Sequence, residues 1–317
     1  MQPEVRTYLE DIRSQLYLRD DLEKQLIAEL NCHLQQRISE LTTQGYTTKE
    51  ATELAINSFG NAENVSRLLY EACSKGRWTD AFKLSLPHFV AAAVFASSPL
   101  FKTEIIILIL GIFIFVSLCG WLRGKPDWSY SWLGYSLLPL FAVGFLLIPT
   151  ITQFVNALFG SASFPDTSTM IMIAIYYILA IVILFRVSFH AIKRDWLLAA
   201  LMLAPLPIIG CWLFHMQQAN GIYTDAELNL FNRPVAQALF VLGFTSVLFI
   251  RLRQRVLKVG VAITVTAISM MVIGQTLWGD IGFFGLMGLS LFSLLIFIIP
   301  AVTNAAIGHG TPIPDNV

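Results

Sequence analysis

Beyond residue 83 this sequence almost runs out of charge: the rest of the chain holds eleven Lys/Arg and eight Asp/Glu. Overall, 56% of residues are hydrophobic and 13% are charged. Soluble globular domains carry roughly 25% charged residues, about twice as many. No Asp, Glu, Lys or Arg falls near the middle of any long apolar run. That argues against ion-coupled transport, whose chemistry places ionisable groups there. Cysteine is scarce as well. Cys32, Cys73, Cys119 and Cys211 lie too far apart for the tight spacing of a zinc site, so free thiols are expected. There is no Gly-rich phosphate loop, no HExxH site and no serine nucleophile elbow. The sequence therefore reads as non-catalytic, with no cofactor and no metal. The opening "MQPEVRTYLEDIRSQL" lacks the apolar run of a secretory signal peptide.

What is present is long apolar runs. A spanning helix needs about 20 predominantly apolar residues. Eight stretches qualify: 84–101, 104–122, 132–152, 169–187, 196–216, 235–251, 257–277 and 281–302. The first is diluted by Pro87, His88, Ser97, Ser98 and Pro99, and lying in the interface instead would reduce the count to seven. Loop charge favours eight. With the N-terminus inside, the inner loops carry Arg123, Lys125, Arg186, Lys193, Arg194, Arg251, Arg253, Arg255 and Lys258, whereas the outer loops carry only Lys102 and Arg233. Both termini, including a tail over 303–317, are expected in the cytoplasm. Trp78, Trp121, Trp128, Trp132, Trp196 and Trp278 fall at expected span ends, as interfacial rings should. In the longest outer loop, 217–234, a short surface helix is expected from Asp225 to Asn232.

Residues 1–82 read differently, as a cytosolic helical domain. Through residue 83, thirteen acidic groups oppose ten basic ones, and no basic face recurs at helical spacing. Both features argue against direct nucleic-acid binding. Val5, Tyr8, Leu9, Ile12 and Leu16 form one apolar stripe. A second helix from Asp20 or Asp21 turns Leu22, Leu26, Ile27, Leu30, Leu34, Ile38 and Leu41 inward and stops at Gly45. In "GYTTKEATELAINSFGNAENV" (45–65), Thr47 and Glu50 make a capping box for a third helix that buries Ala51, Leu54, Ala55 and Phe59 and ends at Gly60. Asn61 caps a fourth, which buries Val65, Leu68, Leu69 and Ala72. The expected fold is all-α: a small four-helix domain followed by a polytopic membrane domain over 83–302.

One pattern runs through this domain: Glu29 four before His33-Leu34, Gly45 about eleven beyond Leu34, Ala51 and Ala55 one turn apart, then Phe59-Gly60. On it, residues 8–72 resemble the cytosolic prefix domain of bacterial permease-like proteins, and are similar to the HAAS-type signalling domain of membrane proteins paired with PadR-family regulators. Where family examples have Asp-Pro next, this chain has Asn61-Ala62. The resemblance implies a bacterial cytoplasmic membrane and a cytosolic protein partner bound through residues 1–75, a PadR-type regulator or a transporter component.

Candidate site residues follow. Glu29 and His33 share a helical face and could hold a metal, but no third ligand is evident, so a surface pair is expected. The acidic start of helix two (Asp20, Asp21, Glu23) could meet Arg251, Arg253, Arg255 and Lys258, the densest cationic loop, which otherwise serves topology and anionic headgroups. Gln153, Asn156, Gln237 and Gln275 are polar within spans and could line a path or bond helix to helix. Pro205 and Pro207 should break span five, with no matching break elsewhere. His88 and His215 are expected near span ends. A non-catalytic membrane regulator or scaffold, in contact with lipid and open to self-assembly, is the leading reading. The alternative is a permease or transporter subunit for a neutral or lipidic substrate.

Overall fold

A computed structural model describes residues 2–274 except positions 17, 19, 74–75, 98–101, 124–125, 162, 219–224, 265 and 272. Beyond 274 it describes only 291, 295 and 298–303, and the side chains at 20, 21, 145, 146, 217, 218 and 225–227 lie outside it. Every regular element among the described residues is helical.

Four helices come first: α1 (Pro3–Gln15), α2 (Asp20–Thr43), α3 (Thr48–Phe59) and α4 (Ala62–Cys73). The apolar stripe is buried at all five positions, and Val5, Tyr8, Leu9 and Ile12 pack with Ile27, Leu34, Ile38, Leu41, Ala51 and Ala55 into one core. Two polar contacts fix α1: Tyr8 Oη donates to the Gly60 carbonyl at 2.9 Å, and Arg13 pairs with Glu23 of α2 at 2.7 Å. The turns after α2 and α3 close at Gly45 and Gly60, both at φ near +100°. That conformation favours glycine.

Leu54, Leu68 and Ala72, expected inside, are exposed. The inward positions belong instead to small or hydroxyl residues. Thr52 donates to Gln2 and to the Thr48 carbonyl, while Ser66 donates to Gln15 at 3.2 Å, so α3 and α4 meet the core through hydrogen bonds as well as through half-buried Ile56, Val65 and Leu69. Phe59 is half-buried at the rim of the core rather than at its centre.

The capping box is present in both directions between Thr47 and Glu50. Hydrogen bonds from Thr47 hold the Glu50 carboxyl below its usual range. The folded value being the lower one, this contribution is complete above the ordinary carboxylate range and is lost as pH falls through the folded value. Thr47→Ala should speed amide exchange in the first turn of α3 several-fold and leave α1 untouched. Unchanged exchange in α3 would show that the box contributes nothing to its start.

The membrane part follows as α5 (Trp78–Ala96), α6 (Thr103–Leu122), α7 (Ser129–Ser136), α8 (Leu138–Leu146), α9 (Ile148–Leu158), α10 (Thr167–Arg194), α11 (Trp196–Leu203), α12 (Pro205–Gln218) and α13 (Asp225–Arg251). Helical residues resume over 255–264. Among the described residues, five stretches are long and apolar enough to cross a membrane: Thr103–Leu122, Ser129–Leu158, Thr167–Arg194, Trp196–Met216 and Leu228–Arg251. They coincide with expected spans two to six. Expected span one corresponds to α5, which begins earlier, at Trp78. Expected span seven is helical over 257–264, 266–271 and 273–274, whereas expected span eight lies largely outside the described residues, as do Trp278 and most of the tail.

Burial sorts these helices. Phe115 of α6 and Phe185 of α10 are 67% and 65% exposed, so both helices turn apolar side chains outward. Trp196–Met216 is mostly interior. α5 packs along α13 more extensively than any other described helix pair, through Phe89 against Phe240 and Phe244. That explains its dilute hydropathy, because its polar Ser85 and His88 face protein rather than lipid. His88 is fully buried and its Nδ1 lies 2.9 Å from the Tyr135 hydroxyl, while His215 is buried against Phe231; neither sits at an exposed span end. Trp132 also departs from the interfacial expectation, being buried with its indole N–H donating to the Lys83 carbonyl at 2.8 Å.

Two further expectations are corrected. Asp225 to Asn232 is the start of the continuous α13, which carries Pro234 within it, rather than a separate surface helix. Span five does break before Pro205, but it is not alone: the third span breaks at Leu137 and Leu147, each one position before a helix with proline second (Pro139, Pro149). Proline suits the first turn of a helix and clashes with the turn preceding it, so each break has the same cause. The two interrupted spans cross at Gly134, where an added Cβ would come 2.0 Å from the Met202 carbonyl oxygen.

Candidate functional site

Charged residues from three separate stretches of the membrane part gather in one place. Pro126–Trp128, Arg194–Asp195 and Phe249–Lys258 belong to the three loops whose basic residues the sequence puts on one face, and they meet α4 and the start of α5. Between them lies a cleft of about 590 Å³, lined by Tyr70, Arg77, Asp80, Asp127, Arg194, Asp195, Lys258 and an apolar wall of Leu198, Phe249 and Ile250.

Ion pairs organise its edges. Arg194 reaches Asp127 at 2.5 Å, and Arg255 reaches Asp195 at 2.8 Å. Asp195 also accepts the Leu197 N–H at 3.0 Å, capping α11 while holding the arginine. Aromatic rings flank the cations, an arrangement their π-faces favour. Arg255 lies 5.7 Å from the Tyr70 ring centroid and 5.9 Å from that of Trp196, and Arg194 lies 5.5 Å from that of Tyr130. Below α4, Lys258 donates to the Tyr70 hydroxyl at 3.0 Å, with both side chains buried. Burial, reinforced by the Asp195 charge, pushes the Tyr70 hydroxyl well above its usual range, so it stays neutral. The backbone joins in: Gly76 N–H donates to the Ile250 carbonyl at 3.0 Å, and Arg251 donates to the Gly76 carbonyl at 3.2 Å while covering the Trp78 ring at 4.1 Å.

The cationic loop thus meets α4 and the start of α5, not Glu23, which pairs with Arg13. The side chains of Asp20 and Asp21 lie outside the described residues. Arg253 is exposed and lines neither cavity. Glu29 and His33 stand 3.8 Å apart on the exposed face of α2, and no cluster of three metal-ligating residues occurs among the described residues. Gln153, Asn156 and Gln237 are exposed and are not brought together; Gln153 donates to the Ser163 carbonyl at 3.2 Å, and Gln275 lies outside the described residues. All four cysteines are free.

Asp127, Asp195 and Tyr70 were not singled out by sequence. A signal existed: Asp195 follows Lys193-Arg194, Asp127 follows Lys125, and each is the sole acid of its basic loop.

A second cavity, of about 160 Å³, is almost wholly apolar. Phe95, Phe113, Tyr135, Pro139, Ile209 and Trp212 are among its lining residues, drawn from both interrupted spans and from α5 and α6.

No family model, curated protein or solved structure matches this chain. The likeness of residues 8–72 to prefix and HAAS-type domains remains a resemblance, and the reading of the site rests on its geometry.

Proposed function

We propose that this chain is a non-catalytic membrane regulator whose four-helix N-terminal module docks a cytosolic protein while locked to the inner face of the membrane domain. The reading takes eight spans, with α5 the first, in a bacterial cytoplasmic membrane with both termini inside. The observation that carries it is the Tyr70–Lys258 junction, a buried contact between partners 188 positions apart, reinforced by Arg251 on Gly76 and Trp78. Through it, a shift of the spans moves α4, and a protein bound to the module biases the spans in return. Convergence of the three basic loops on one cleft supports their common orientation.

Leu54 and Leu68 are 42% and 61% exposed. They leave apolar contacts on α3 and α4 for a partner such as a PadR-type regulator or a transporter component. In the full-length protein, Leu54→Asp with Leu68→Asp should abolish crosslinking to the partner in intact cells and leave thermal stability unchanged. Identical crosslinking in both forms would remove the docking surface.

The second reading, a transporter subunit for a lipidic solute, draws on paired broken spans bordering an apolar cavity. Solute flux in proteoliposomes that persists without residues 1–75, and stops when the cavity is filled by Ala142→Trp, would replace the first reading.

A further inference from the structure

The cleft beneath α4 holds a buried cation with no ion-pair partner among the described residues. Lys258 is 4% exposed, and its ammonium donates to one neutral group, the Tyr70 hydroxyl. The Tyr70 and Phe249 rings lie 5.1 and 5.0 Å from it. It forms no ion pair among the described residues, because Asp195 is engaged by Arg255 and Asp127 by Arg194. An ammonium has three protons to donate, and a buried charge is costly unless paired. Arg77 also borders the cleft and forms no ion pair among the described residues. It occupies the N-cap of α5, and its side chain does not cap that helix. The positive end of α5 therefore adds to the same field.

Charge counting gives the missing partner. With Arg255 included, four cations (Arg77, Arg194, Arg255, Lys258) face three carboxylates (Asp80, Asp127, Asp195). One monoanion balances them. The cleft volume is about 590 Å³. Small-molecule sites run from about 300 to 1,000 Å³, so the size suits a headgroup. The wall of Leu198, Phe249 and Ile250 is apolar, and Lys83 lies 5.4 Å from the Trp128 ring at the same level. A charged rim over an apolar wall, with tryptophan beside lysine, matches the headgroup layer of a bilayer.

We propose that the cleft binds a phosphodiester, the headgroup phosphate of a membrane phospholipid, with Lys258 and Arg77 as its ligands. The lipid would then complete the junction between α4 and the spans. The proposal holds whichever protein the N-terminal module docks.

Purified full-length protein in detergent can be titrated with phosphatidylglycerol, with diacylglycerol and with glycerol 3-phosphate, and binding read by native mass spectrometry. Phosphatidylglycerol should bind, and Lys258→Gln and Arg77→Gln should each weaken it at least tenfold. Diacylglycerol, which lacks the phosphate, should bind no differently to wild type and variants. Glycerol 3-phosphate binding with the same residue dependence, without lipid retention, would assign the phosphate to a soluble source and overturn the lipid assignment. Phospholipid binding unchanged in the variants would overturn the site altogether. If Lys258→Gln fails to fold, Arg77→Gln, at an exposed position, decides alone.

Discussion

Asp195→Ala should destabilise the full-length protein by about 3–5 kcal/mol, the range seen when one partner of a buried ion pair is removed. The carboxylate is 9% exposed on its side chain, pairs with Arg255, caps α11 and borders the cleft that holds Lys258. Truncation strands an arginine and a lysine in one covered cleft and frees the first amides of α11. Thermal unfolding in detergent is the measurement. Asp195→Asn should lie between wild type and alanine, because the amide still accepts from Leu197 without carrying charge. The double change Asp195→Ala with Arg255→Met should recover much of the loss, since both charges are gone. A melting temperature unaffected by Asp195→Ala would mean that water, not the carboxylate, solvates Arg255.

Gly134→Val should prevent accumulation of folded protein, and Gly134→Ala should cost about 1–3 kcal/mol or more, the usual range for overpacking. The obstacle is backbone: the added Cβ would sit 2.0 Å from the Met202 carbonyl oxygen, so α7 must retreat from α11 as a whole. Lipid offers no hydrophobic drive to press helices together, and close approach at small residues supplies much of their cohesion. Gly111→Ala, on α6 with nothing within 4 Å of its Cβ, is the control. It should be neutral or mildly stabilising, as alanine suits a helix better than glycine. Equal melting temperatures for Gly134→Ala and Gly111→Ala would sink the argument.

Where one physical effect dominates locally, the sequence was easy to read. The α1 stripe, the Thr47–Glu50 box and the proline break in span five each depend on residues within one or two turns. It was hard to read where the environment decides. Leu54 and Leu68 sit at helical spacing suited to a core, but hydrogen-bonded Thr52 and Ser66 take the inward positions. α5 reads as a weak span because hydropathy scores transfer to lipid, whereas its His88 transfers into protein beside Tyr135. Breaks in the third span were overlooked because Pro139 and Pro149 fall in a run that is otherwise continuous and apolar. The cleft was missed for a different reason. Orientation depends on basic residues alone. Counting them passes over the lone acids, Asp127 and Asp195, that fix where those bases end up.

The Tyr70–Lys258 junction also sets a timetable. Its halves are 188 positions apart in the chain. A ribosome adding roughly 5–20 residues per second needs about ten to forty seconds to travel from one to the other. For that interval the N-terminal helices are complete in composition but have no lysine beneath α4, and Phe89 of α5 has no α13 to pack against. The nascent chain must therefore carry loosely tethered N-terminal helices and an α5 without its main packing partner until α13 and Lys258 are made. Truncations ending before Arg251 should strand it in that state, open to proteases at the α4–α5 connection.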